Sequence, residues 1–111
     1  MRIVTALALL IAFGASAEAQ RESPVNNLGT PQVSVLVTAT QVAVARKRAS
    51  VTVENLGTNQ VCLGSSAAVT LATGLCLPGT VGASVTMPDY SGPVYGIASG
   101  STTAVSVMDL Y

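Results

Sequence analysis

The chain has 111 residues, which is room for one domain. Its acidic and basic side chains balance, and only 9% of its residues are charged, where about 25% is usual. Its zero net charge excludes a nucleic-acid-binding footprint, and so few charges favour self-association or packing into a larger particle. The chain contains no histidine, which excludes the commonest general base and every Ser-His or Cys-His nucleophile pair.

Residues 1–19 have the pattern of a secretory signal peptide. Arg2 supplies the positive start, Ile3 to Phe13 form an apolar run, and Ala15 to Ala19 contain two small-x-small cleavage sites. As a helix this run would span about 16 Å, roughly half of a ~30 Å hydrocarbon core, so an uncleaved membrane anchor is the weaker alternative. We therefore predict an N-terminal signal helix, no stable membrane span, and export to the periplasm or the medium.

Residues 20–31 are polar and rich in turn-forming residues. They show neither the two-residue period of a strand nor the 3.6-residue period of a helix. We predict a flexible lead-in here, followed by a folded domain over residues 32–111.

From residue 32 onward, short Val-, Thr- and Ile-rich stretches are separated by Gly, Pro, Asn and Asp. This spacing predicts an all-β fold: a small antiparallel β-sandwich of jelly-roll or immunoglobulin-like type, with about seven to eight short strands. The predicted strands lie at 33–37, 50–54, 61–63, 75–77, 83–87, 94–98 and 103–107. Alternation predicts an inward set of Val33, Val35, Val37, Val51, Val53, Val61, Leu63, Leu75, Leu77, Val85, Met87, Ile97, Val105 and Val107.

Cys62 and Cys76 are the two cysteines of the chain. Behind an export signal, a cysteine pair indicates a disulfide. Each lies between two apolar residues, so both sulfurs would point away from the core and meet if the two strands are adjacent and antiparallel. Two unpaired thiols in a reducing compartment are the alternative. A zinc site is disfavoured because two thiols without histidine do not complete a tetrahedral ligand set.

The carboxylates of the predicted domain are Glu54, Asp89 and Asp109. Each lies at a strand end, in a turn or near the C-terminus, and nothing in their spacing makes any two converge as a hydrolase pair. We predict that the protein is not an enzyme and has no catalytic residues, metal or cofactor.

Arg46, Lys47 and Arg48 form the one charge cluster. They are candidate binding residues for an anionic surface, such as lipopolysaccharide or an acidic patch on a partner protein. The alternative is a solvated segment that discourages pairing at a sheet edge.

Tyr90 and Tyr95 are the candidate aromatic binding residues. Tyr90 lies in a turn that could present its ring to a sugar or a neighbouring subunit. The alternative is a tyrosine that packs at a corner with its hydroxyl bound to the backbone.

An ordered series of segments resembles small β-sandwich accessory proteins, of the decoration type, encoded among the structural genes of tailed bacteriophages and prophages. The resemblance covers Val37 to Leu110. The segments are 39–45, 46–53, 55–64, 77–79 with 83–86, and 90–100. The resemblance implies a virion accessory role, such as decorating a head or tail surface, with no catalytic residues to transfer.

This chain departs from that pattern in two ways. The phage proteins usually start directly at the sandwich without an export signal, and they usually carry a large polar or aromatic residue where Cys62 and Cys76 stand. Both departures favour an oxidising site outside the cytoplasm over a particle assembled inside the cell. We therefore predict a non-enzymatic structural or surface-binding module that joins copies of itself or a larger assembly, in a virion or an envelope. The alternative is a secreted or periplasmic carbohydrate- or envelope-binding domain, with a glycan as partner.

Overall fold

Two antiparallel β-sheets make up residues 27–111, the part of the chain that the computed structural model describes. The strands are β1 (Leu28–Gly29), β2 (Gln32–Val35), β3 (Thr40–Ala43), β4 (Ser50–Asn55), β5 (Val61–Gly64), β6 (Leu75–Leu77), β7 (Ser84–Pro88), β8 (Val94–Ala98) and β9 (Thr103–Leu110). No helix within residues 27–111 is long and apolar enough to cross a bilayer. The predicted signal peptide at residues 1–19 lies outside the described residues.

The strand order defines the type of sandwich. In the first sheet, β1 and β2 both pair with β9, and the order continues through β4 to β7. In the second sheet, the order is β3-β8-β5-β6. If β1 and β2 are counted as one strand interrupted at Pro31, which has no N–H, two four-stranded sheets result in the order of a jelly roll. The predicted all-β sandwich is confirmed.

The core consists of short aliphatic side chains from the inner faces of both sheets. Alternate residues of β4 and β9 are buried, as their two-residue period predicts. The buried apolar cluster comprises Val35, Val42, Ala43, Val51, Val53, Val61, Leu63, Leu77, Val94, Ala98, Val105 and Val107. Each of its larger side chains contributes about 1.5–3 kcal/mol on burial.

Two residues predicted to face inward do not, and a third faces inward but is exposed. The strand predicted at 33–37 ends at Val35, because the Leu36 N–H donates to Thr40 Oγ1 at 3.0 Å and the chain turns, which leaves Val37 51% exposed. Leu75 faces inward beside Leu63, as predicted, but it is exposed because β6 is the edge strand of its sheet.

Ile97 is the second residue that does not face inward, because β8 buries Val94, Gly96 and Ala98 instead. A Cβ at Gly96 would lie 3.1 Å from Val42 Cγ2 and 3.3 Å from Val35 Cγ1. The two sheets approach too closely there for a large side chain. Ile97 therefore lies on the outer face, opposite Cys62 of β5.

Two strands were not predicted from the sequence. Part of the predicted flexible lead-in is paired with β9: Asn27 and Tyr111 exchange backbone hydrogen bonds of 2.6 and 2.9 Å, and the Pro31 carbonyl accepts one from the Val107 N–H at 3.0 Å. β3 has an irregular register between Gln41 and Ala43, so two successive residues are buried. That irregularity hides the two-residue period.

Candidate binding surfaces

The disulfide lies on the outer face of the second sheet, under a loop. Cys62 and Cys76 face each other across β5 and β6 and are bonded, as predicted, with their Cα atoms 3.9 Å apart. The Leu71 carbonyl oxygen lies 3.8 Å from the Cys62 sulfur and 3.7 Å from that of Cys76. Val69, which belongs to the same loop (residues 65–74), is buried. The bond therefore holds together the two strands from which the loop extends.

Arg48 is a buried structural residue. Its side chain is 0% exposed, and its Nε donates to Asp109 Oδ1 at 2.8 Å. Its Nη1 donates to the carbonyls of Tyr90 at 2.8 Å and Gly92 at 2.9 Å, and its Nη2 donates to the carbonyl of Val44. Arg48 thus joins the β3–β4 segment, the β7–β8 turn and β9, and its guanidinium is not available to an external anion.

The three consecutive basic residues do not form one patch. Arg46 lies over the ring of Tyr111, with its Cζ 3.9 Å from the ring centre, and its Nε is 3.7 Å from Asp109 Oδ2. Its side chain is 33% exposed. Lys47 is exposed. The structure therefore separates an exposed lysine, a half-buried arginine and a buried arginine.

Tyr90 packs at a corner. Its hydroxyl donates to the Pro93 carbonyl at 2.6 Å, and its ring lies against Gly92 and the core. This is the packing alternative considered for Tyr90. Tyr95 alternates with buried neighbours in β8, so it lies half-buried on the outer face of the second sheet, opposite Gln41.

A cavity opens between the two sheets where β2 and β9 face β3; we call it the edge cavity. Its volume is about 330 Å³. Its polar side is formed by Arg46, Asp109 and Tyr111. Its apolar lining includes Pro31, Val33, Val42, Val44 and Val107. Nothing in the sequence pattern indicated this cavity, because its walls come from segments far apart in the chain.

A smaller apolar groove of about 190 Å³ lies at the opposite open side of the sandwich. Leu63, Leu75, Met87 and Val94 line it, and Tyr90 closes one side. The edge strands β6 and β7 meet there. Pro88 is the last residue of β7, and it reduces the ability of this edge to accept another strand.

Among residues 27–111, the loops at one end of the sandwich carry no charged residue. The antiparallel registers bring the β2–β3, β4–β5, β6–β7 and β8–β9 connections to this end. We call these four loops, residues 36–39, 56–60, 78–83 and 99–102, the uncharged end. None of them contains Asp, Glu, Lys or Arg.

The four loops are continuous in space. The Ala98 N–H donates to the Leu36 carbonyl at 2.9 Å, and the Ser99 N–H donates to the Gln60 carbonyl at 2.9 Å. Gly79 packs so closely on Thr58 that a Cβ would lie 2.3 Å from the Thr58 carbonyl oxygen. Together these contacts make one surface from four separate segments.

Asn55 holds this end in shape from beneath. It is 0% exposed, and its Nδ2 donates to the carbonyls of Asn59 at 2.8 Å and Pro78 at 3.0 Å. Its Oδ1 accepts from the Gly57 N–H at 2.9 Å. One side chain therefore fixes two of the four loops.

The remaining charges of residues 27–111 lie elsewhere. Arg46, Lys47, Arg48, Asp89 and Asp109 belong to the opposite end of the sandwich. Glu54 alternates with buried valines in β4, on the outer face of the first sheet, where it pairs with Ser84 and borders the uncharged end. The two ends thus differ sharply in charge.

Comparison with known proteins gives no family. No family model matches the chain, and no curated protein matches it. Among solved structures, a cupin domain from Bordetella pertussis Tohama I is similar, with 13% sequence identity and a TM-score of 0.47. The match covers 83% of this chain and 88% of that chain. The jelly-roll assignment depends on the strand order itself, and this distant likeness indicates nothing about function.

Proposed function

We propose that the protein is a non-enzymatic module that works by surface contact with other proteins, either copies of itself or the subunits of a larger assembly. The observation that supports this is the uncharged end. Val37 and Val81 there are 51% and 61% exposed, and Leu36 is exposed beside them. Exposed apolar side chains in loops that contain no charged residue are a feature of protein-contact surfaces.

The contact surface is pre-formed. Asn55 and the backbone hydrogen bonds between neighbouring loops fix the loops, so little conformational entropy is lost when a partner binds. A sugar-binding role has less support, because the hydroxyl of Tyr90 is already bound to the Pro93 carbonyl.

The larger assembly that we propose is a virion or a cell envelope, in keeping with the resemblance to phage accessory proteins and with the predicted export signal. A protein that decorates a particle needs a stable scaffold with one adhesive surface. A rigid sandwich with one uncharged end meets that need. Capsid and tail genes next to this one would favour the virion, whereas secretion or polysaccharide genes would favour the envelope.

Sedimentation velocity over a range of protein concentrations tests the proposal. We expect the purified protein to form a defined oligomer or to self-associate. Val37→Glu combined with Val81→Glu should shift it to monomer, because a buried unpaired carboxylate is costly. Met108→Glu is the matched control, since Met108 is also exposed but lies in β9, outside the uncharged end.

The proposal fails if the parent protein stays monomeric at high concentration and also binds none of the proteins encoded by the neighbouring capsid, tail or envelope genes. It also fails if the Met108 variant dissociates as readily as the loop variant.

A further inference from the structure

The edge cavity is large enough for a small ligand. Its volume is about 330 Å³. A cavity of about 150 Å³ accommodates benzene, and ligand pockets begin at about 300 Å³. Val33, Val42 and Val107 line its interior, so the body of a ligand that fits would be apolar and somewhat larger than one benzene ring.

Two arginines face one aspartate at the rim of this cavity. Asp109 is the carboxylate in its wall, and Arg48 holds that carboxylate at 2.8 Å from behind. Arg46 is a second cation facing the same carboxylate at the longer distance of 3.7 Å. Among the side chains of residues 27–111 around this cavity, two guanidinium groups therefore share the Asp109 carboxylate.

Contacts with the Tyr111 ring and at its own backbone hold Arg46 in place. The Tyr111 ring supports its guanidinium from one side at 3.9 Å, and the Arg46 backbone N–H donates to the Ser91 carbonyl at 3.0 Å. Among residues 27–111, the structure gives its two terminal nitrogens no hydrogen-bond partner, and the side chain is 33% exposed. A guanidinium in this state offers two parallel donors, which match the two oxygens of a carboxylate.

We propose that the edge cavity binds a small amphiphilic carboxylate, with its apolar body between the sheets and its carboxylate on Arg46. Arg48 takes no direct part, because its donors are used within the protein. This site lies at the charged end of the sandwich, so it is independent of the proposed contacts at the uncharged end.

Titration of the full-length protein with octanoate, followed by the NMR signals of the valine methyl groups, tests the proposal. Octanoate should shift the Val33, Val42 and Val107 signals in a saturable way. Octanol and octylammonium have the same apolar body without the negative charge. We expect both to bind at least about tenfold more weakly, since a charge-assisted hydrogen bond is lost.

Two single substitutions provide a matched pair. Arg46→Gln should weaken octanoate binding to the level of octanol, whereas Lys47→Gln, which removes an equal charge from the neighbouring exposed residue, should leave the affinity unchanged. Val44→Trp gives a second test that preserves Arg46, because a large ring at this exposed lining residue should obstruct the cavity. The proposal is overturned if octanoate causes no saturable shift, if octanol binds equally well, or if the Arg46 and Lys47 variants behave alike.

Discussion

The buried arginine gives the sharpest prediction of stability. In Arg48→Met, the apolar part of the side chain is retained but every hydrogen bond of the guanidinium is lost. Asp109 then has only the more distant Arg46 as a cationic partner. The carbonyls of Tyr90, Gly92 and Val44 lose their hydrogen-bond donor. Breaking a buried ion pair on one side costs about 3–5 kcal/mol. We expect the free energy of unfolding to fall by that amount, a large share of the ~5–15 kcal/mol typical of a whole domain.

Urea denaturation followed by circular dichroism measures this loss, and two variants control for other causes. Lys47→Met removes the neighbouring exposed charge and should change stability by less than about 0.5 kcal/mol. Arg48→Met combined with Asp109→Leu removes both charges and should recover about 2 kcal/mol relative to Arg48→Met, because no carboxylate is left unpaired. Equal stabilities for the Arg48 and Lys47 variants would refute the structural role of Arg48.

Three further substitutions test other parts of the fold by the same denaturation assay. Replacing both Cys62 and Cys76 by Ala should cost about 3 kcal/mol, the value expected for closing a loop of this size. Alkylation of both cysteines in the unfolded protein without prior reduction would contradict the disulfide. Asn55→Ala should cost about 2–3 kcal/mol of unfolding free energy, because three hydrogen bonds are lost. Its control, Asn59→Ala, loses one exposed hydrogen bond to Ser101 and should cost less than about 1 kcal/mol; equal costs would contradict the role of Asn55. Gly79→Ala should cost about 1–3 kcal/mol of unfolding free energy, because the added Cβ meets the Thr58 carbonyl. Its control, Gly29→Ala, adds a Cβ that meets nothing closer than 3.5 Å and should cost less; a larger loss for Gly29→Ala than for Gly79→Ala would contradict the close approach at Gly79.

The alternation of apolar and polar residues along the sequence was sufficient to predict most strands of this fold. β4 and β9 alternate regularly, because each has one face on the core and one facing outward. The same rule failed in β8. The chain offers Ile97 on one face and Gly96 on the other, and hydrophobicity alone favours the isoleucine. Close packing of Val35 and Val42 selects the glycine, and such a contact between two sheets cannot be detected within one strand.

The candidate sites depended still more on long-range contacts. Three successive basic residues favour a solvated cluster. Arg48 is buried because distant partners surround it, namely Asp109, 61 residues further along, and the carbonyls of the β7–β8 turn. The loops of the uncharged end are visible in the sequence as four uncharged stretches. Only the jelly-roll topology shows that they form one surface, and only the facing sheets create the edge cavity.

Amide hydrogen exchange at low and high protein concentration tests the central claim most directly, because it reports which end of the sandwich other protein molecules cover. We expect added protection at high concentration in residues 36–39 and 78–83, with no change in residues 44–49 and 89–93. Protection confined to the charged end, or none at either end in a protein that has associated, would contradict the assignment of the uncharged end as the contact surface.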